Sequence, residues 1–163
     1  MQVYYVNTNK TEIQNAWVAK TSSIFLAGPT PRTDDIPSWR PEALDLLEQF
    51  GFKGSVFIPE DRGAERYADY DSQINWEWRG LDAANVIVFW VPRELQHMPA
   101  FTTNVEFGLY ANSGKCVLGY PEGALKMRYL HAVAEKYNMP VAFTLPETIA
   151  HALRLMGAEY HSA

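Results

Sequence analysis

Hydrophobic positions along the chain alternate between short unbroken apolar runs and stretches spaced three or four residues apart. Ser23-Ile24-Phe25-Leu26-Ala27-Gly28 is such a run, stopped by Gly28-Pro29, and predicts a buried strand. From about residue 36 to 50, Trp39, Ala43, Leu46, Leu47 and Phe50 recur at helical spacing, and Gly51 ends the pattern. Ser55 to Pro59 reads as a second strand, followed by a polar loop over 60–69 and a helix over 71–84 with Ile74, Trp78 and Leu81 on one face. The run Asn85-Val86-Ile87-Val88-Phe89-Trp90-Val91 is apolar nearly throughout, as a central strand covered on both faces must be. A loop then leads to a helix over 103–113 ended by Gly114, a strand over 115–119, a helix over 124–137 and a short strand over 141–143. A last helix opens at Thr144-Leu145-Pro146-Glu147 and closes at Gly157. Strand and helix alternating at this rhythm predict an α/β domain, a mostly parallel five-stranded sheet with helices on both faces. No repeat or linker interrupts residues 1–163, so a single domain is expected; residues 1–20 are less patterned, with Val3-Tyr4-Tyr5-Val6 as an edge-strand extension.

Composition narrows the partners. With 47% hydrophobic and 20% charged residues the chain has the material for a core without metal or disulfides. A net charge of −5 argues against a nucleic acid polymer or an acidic membrane surface as partner. Cys116, the one cysteine, lies in an apolar run and reads as a buried strand residue. The chain shows neither a leader-like start nor an apolar stretch of membrane-spanning length, so a cytoplasmic location is expected.

Several familiar chemistries lack their residues. There is no Gly-x-Gly-x-x-Gly after the first strand and no Gly-x-Ser-x-Gly, while Gly114-Lys115 has Leu109 and Cys116 where a phosphate-binding loop needs Gly and Ser or Thr. His97, His131, His151 and His161 have no ligand spacing, so a metal site is not expected.

What remains gathers at the carboxyl ends of the strands, where open parallel sheets bind ligands. Gly28-Pro29-Thr30-Pro31-Arg32 offers amides and a guanidinium for hydroxyls or phosphate, or is an ordinary turn. Glu60, Asp61 and Arg62 follow the second strand. Glu77, between Trp76 and Trp78, is either a desolvated acid with a raised pKa or a surface glutamate beside core aromatics. Glu106 falls in the first turn of the helix starting at Thr103, where the free N–H groups keep it ionised and nucleophilic. Thr103 and Glu106 equally fit a capping box, and both readings stand on spacing alone. Two carboxylates in one cleft, one ionised and one protonated, are what displacement at an anomeric carbon requires.

The ordered set Phe25-Leu26-Ala27-Gly28-Pro29, Trp76-Glu77-Trp78, Phe89-Trp90-Val91-Pro92-Arg93, Met98 to Gly108, and Gly114-Lys115 resembles the nucleoside 2-deoxyribosyltransferase family. The resemblance implies a flavodoxin-like doubly wound fold and transfer of 2-deoxyribose between nucleobases through a covalent glutamyl intermediate, a salvage reaction without cofactor. It places Glu106 on the family's nucleophile, Thr103 on its Gly-Thr-x-x-Glu threonine, and Glu77 on its acid–base aspartate. Glu77 for Asp, Ala100 for an aspartate that contacts sugar or base, and Asn85 for Asp are departures. The implied site adds Gly28, Pro29, Arg32, Glu60, Trp76, Trp90, Phe101 and Asn104 for substrate, with the base against some of Trp76, Trp78, Trp90 and Phe101. Nucleosides and nucleobases are the implied partners, in a homo-oligomer. An N-glycosidase acting on a nucleoside or its monophosphate, with Arg32 and Arg93 as the phosphate-favouring residues, and a non-catalytic nucleotide-binding module are the alternatives.

Overall fold

The computed structural model describes residues 1–33, 35–62 and 69–157. Its strands are β1 (Gln2–Tyr5), β2 (Ser23–Ala27), β3 (Ser55–Ile58), β4 (Val86–Trp90), β5 (Cys116–Gly119) and β6 (Val141–Ala142). The helices are α1 (Lys10–Val18), α2 (Arg40–Gln49), α3 (Tyr70–Ala83), α4 (Phe101–Tyr110), α5 (Arg128–Lys136) and α6 (Leu145–Leu155). All strands pair in parallel in the order β1-β3-β2-β4-β5-β6. The expected sheet of five therefore has six strands. The sixth is β1, which pairs with β3 from Gln2↔Ser55 to Tyr5↔Ile58. Without it the order is flavodoxin-like.

Both faces of the sheet are covered, which is why β2, β3, β4 and β5 are buried at every position. Alternation sends Phe25, Ala27, Ile87 and Phe89 toward a layer with Ile13, Trp76, Leu81, Phe107 and Leu130, from α1, α3, α4 and α5. Ile24, Leu26, Val86, Val88 and Trp90 pack on the other side with Leu47 of α2 and Ile149 and Leu153 of α6. Among the described residues no helix is long and apolar enough to cross a membrane. Cys116 is a buried residue of β5.

The register of the two central strands is fixed at their amino ends. Asn85 Oδ1 accepts hydrogen bonds from the Ser23 amide at 2.8 Å and the Ser23 hydroxyl at 2.9 Å. With Ile24 opposite Val86 and Ala27 opposite Phe89, both strands end level and their following loops meet. β3 lies on one side of β2 and β4 on the other, so the chain reverses direction across the sheet there. A crevice at the carboxyl ends is the consequence of that topology.

Candidate active site

The crevice is a cleft of about 270 Å³ lined by the turn after β2, by Pro59 after β3, by one face of α3 and by the start of α4. Such a volume is at the small end of ligand pockets, roughly 300 Å³ and above. Glu77 and Glu106 both face it. Gly28, Pro29, Arg32, Phe101 and Thr103, named from sequence, line it too, together with Tyr70, Gln73, Ala100 and Thr102.

Other named residues lie elsewhere. Trp76 is 3% exposed and packs edge-on against Trp17 and tilted against Phe25, inside the core. Trp90 belongs to the core on the opposite side of the sheet, and Trp78 points to solvent. Asn104 accepts a hydrogen bond from Arg93, whose other nitrogen reaches the Lys126 carbonyl at 3.1 Å. Arg93 thereby ties two loops and does not line the cleft. Residues 63–68 of the predicted polar loop and His161 lie outside the described residues. Among the described residues no cluster of His, Cys, Asp and Glu has the grouping of metal ligands.

Glu60 is also taken. It accepts hydrogen bonds from Ser38 at 2.8 Å and from the buried Arg40, the residue that sequence reasoning missed. The Arg40 guanidinium also donates to the Leu26 carbonyl at 3.1 Å, the Gly28 carbonyl at 2.8 Å and the Thr30 hydroxyl at 3.0 Å. Its neighbour Trp39 donates to the Pro29 carbonyl at 3.1 Å. The start of α2 thus clamps the cleft-lining turn from below. The signal was present: Arg40, Ala43 and Leu47 share the buried stripe of α2, and a charge there must be paired.

That turn is also pinned by Gly28, whose φ is +143°. A methyl group at this position would lie 2.1 Å from the Trp90 carbonyl oxygen. Only glycine allows the β2 turn to approach the end of β4 so closely.

The helix bearing Glu106 begins earlier than the spacing predicted. Ala100, at φ 59° and ψ 40°, takes the left-handed conformation at the N-cap, and Phe101 starts α4. Glu106 is consequently in the second turn, and the Thr103–Glu106 capping box is not formed. Its amide is within the helix, so the open N–H groups do not hold the carboxyl ionised as expected. Burial, reinforced by the charge of Glu77 and opposed by Arg40, pushes the Glu106 carboxyl from 4.5 up to about 8. At 9% exposure it has no hydrogen-bond partner among the described residues. Glu77 is raised as well, chiefly by burial, while Gln73 donates to its Oε1 at 3.0 Å and, like Arg40, favours the ionised form. The cleft therefore holds two acids that resist being ionised together, one proton between them near neutrality.

A family model described as nucleoside 2-deoxyribosyltransferase like matches residues 21–124. No curated protein matches the chain.

Proposed function

The chain belongs to the nucleoside 2-deoxyribosyltransferase-like family, and from that premise we propose that it exchanges the base of a 2-deoxyribosyl donor by double displacement on Glu106 and Glu77. The observation that carries this reading is the pair of carboxyls at the topological switch point, one deeply buried and unpaired, the other on the facing helix. Glu106 attacks C1 of the sugar as the bond from C1 to the base nitrogen breaks. The electron pair leaves with the base, and Glu77 supplies the proton that nitrogen takes up. The incoming base reverses the sequence, returning a proton to Glu77 and releasing Glu106 as carboxylate.

Burial raises the Glu106 carboxyl further than that of Glu77, so these roles require substrate to draw the shared proton onto Glu77. Attack requires Glu106 ionised and Glu77 protonated. Two repelling carboxyls sharing one proton can supply that state, provided the proton resides on Glu77 once substrate is bound. Gln73 and Tyr70 on α3 are placed beside Glu77 to meet the base, with Phe101 as the flat surface opposite. This assignment replaces the tryptophans, which lie in the core or in solvent.

Association of identical copies is part of the same reading. Phe101, Val105 and Leu109, spaced four apart on α4, are 68%, 63% and 61% exposed, and an apolar helix stripe of this kind is what a symmetric contact buries.

Chromatography of products from 2-deoxyinosine plus adenine, beside a Glu106→Ala control, tests the activity. New 2-deoxyadenosine, absent with the variant, is the expected result. Free hypoxanthine without a new nucleoside would replace transfer by hydrolysis.

A further inference from the structure

The acid Glu77 is held by a neighbour on its own helix. Gln73, one turn earlier on α3, donates from Nε2 to Glu77 Oε1 at 3.0 Å, and both residues line the cleft. We propose that Gln73 is a positioning residue for the acid, leaving Glu77 Oε2 as the oxygen that hands the proton to the departing base. The inference rests on the double-displacement reading and states how the proton of that reaction is directed.

A neutral carboxyl carries its proton on one oxygen and accepts with the other. The oxygen that already accepts from an amide N–H is the one left as the carbonyl, so the proton of neutral Glu77 belongs on Oε2. Gln73 is itself fixed in place. Its backbone amide donates to the Asp69 carbonyl at 3.3 Å, and Asp69 caps α3 by accepting from the Ser72 amide at 2.7 Å. The neighbours of Glu77 act differently. Arg40 reaches it through charge, its own hydrogen bonds going to Leu26, Gly28, Thr30 and Glu60. Trp76 is turned into the core and Trp78 toward solvent. The other charged and titratable groups of the cleft wall are Glu106 on α4, Arg32 in the turn after β2 and Tyr70 on α3.

The contact also distinguishes the two acids before substrate arrives. Arg40 favours the ionised form of both, whereas the Gln73 bond favours that of Glu77 alone. In the empty cleft the shared proton therefore rests on Glu106 and masks the nucleophile. A base nitrogen presented to Oε2 gives a protonated Glu77 an acceptor, and the proton moves across. It passes to that nitrogen as C1 bonds to Glu106 and the C1–N bond breaks, the electron pair leaving with the base. The same amide thus aims the acid and keeps the unoccupied site dormant.

Single-turnover release of base by the full chain from 2-deoxyinosine and from 7-methyl-2-deoxyguanosine tests the role. The second donor carries a cationic base, which departs neutral without an added proton. Gln73→Met, similar in length but without a donor, is expected to slow release from 2-deoxyinosine by at least about tenfold, the worth of one hydrogen bond to a charged group. Release from the methylated donor is expected to be nearly unchanged, which also reports a folded cleft. Gln73 is half-buried on a helix and Met is a good helix former; Gln73→Leu repeats the test with a different shape. In the unliganded chain, carboxyl ¹³C NMR assigned with Glu77→Gln is expected to show the Glu77 titration moving to higher pH in Gln73→Met. Equal slowing on both donors, or an unmoved Glu77 titration, would overturn the role of Gln73 and leave transfer by wild type standing. Failure of wild type to release base from either donor would remove the double-displacement reading, and the role of Gln73 with it.

Discussion

Arg40 and Glu60 form a buried ion pair beneath the turn after β2, with side-chain exposures of 1% and 17%. The pair joins α2 to the loop after β3, and the three remaining guanidinium contacts hold Leu26, Gly28 and Thr30 in place. A guanidinium suits this position because its planar fork donates in several fixed directions at once. Arg40→Met is expected to destabilise the fold by about 3–5 kcal/mol, since Glu60 and two carbonyls lose their partner together. Arg40→Lys, which keeps the charge but not the fork, should be milder. Urea denaturation of both variants measures the difference.

The same guanidinium also holds down the pKa of both Glu77 and Glu106. In wild type, kcat/KM is expected to be bell-shaped, rising as the pair gives up its first proton and falling near pH 8 as it loses the second. Arg40→Lys places the charge differently and is expected to displace the rising limb. A wild-type profile with no falling limb near pH 8 would contradict the buried, unpaired state of Glu106.

Stability should move the other way. The folded chain holds the Glu106 proton more tightly than the unfolded chain, so stability declines as pH rises from about 4.5 to about 8. Glu106→Gln removes the ionisation. It is expected to be inactive yet more stable than wild type at pH 8 to 9, by on the order of 3 kcal/mol, with little gain at pH 4. Thermal melts of both proteins across this range check the sign.

Gly28→Ala is expected to be among the most damaging single substitutions. The added methyl group meets the Trp90 carbonyl at 2.1 Å, backbone against backbone, at a φ that L residues rarely adopt. A loss of about 4 kcal/mol or more follows from moving one central strand end away from the other. Soluble yield and melting temperature report it.

At Ala100 the left-handed backbone is strained in a side chain that glycine would lack. Ala100→Gly is expected to stabilise by roughly 0.5–1 kcal/mol after the entropy of the unfolded chain is counted, and Ala100→Val to destabilise. Chemical denaturation distinguishes the two directions.

Leu109→Glu places a charge in the exposed stripe of α4, two turns from Phe101. If copies of the chain meet there, sedimentation velocity should show the variant as a smaller species than wild type. An unchanged profile would move the contact elsewhere.

The sheet was legible because its strands are buried on both faces, so Ile24 to Ala27 and Val86 to Trp90 read as unbroken apolar runs. The carboxyls were legible by position at the strand ends. Their electrostatic state was not, because it depends on where α4 begins, and an alanine gives no sign of a left-handed backbone. Trp76 and Trp90 were misleading for a related reason. An indole suits both a core and a ligand, and only the orientation of α3 and the alternation of β4 send these two inward. Arg40 was readable in principle from its place in an apolar stripe, but its partner Glu60 is twenty residues away and carries no local mark of the pairing.

One strand has a bearing beyond the site. β1 lies outside the span that matches the family and covers the rim of β3 that would otherwise present unpaired amides and carbonyls. At the opposite rim β6 is only two residues long. One rim ends in a strand of four residues and the other in a strand of two, so neither offers a long template on which a foreign strand could grow. The added segment thereby acts as a guard against sheet-to-sheet polymerisation.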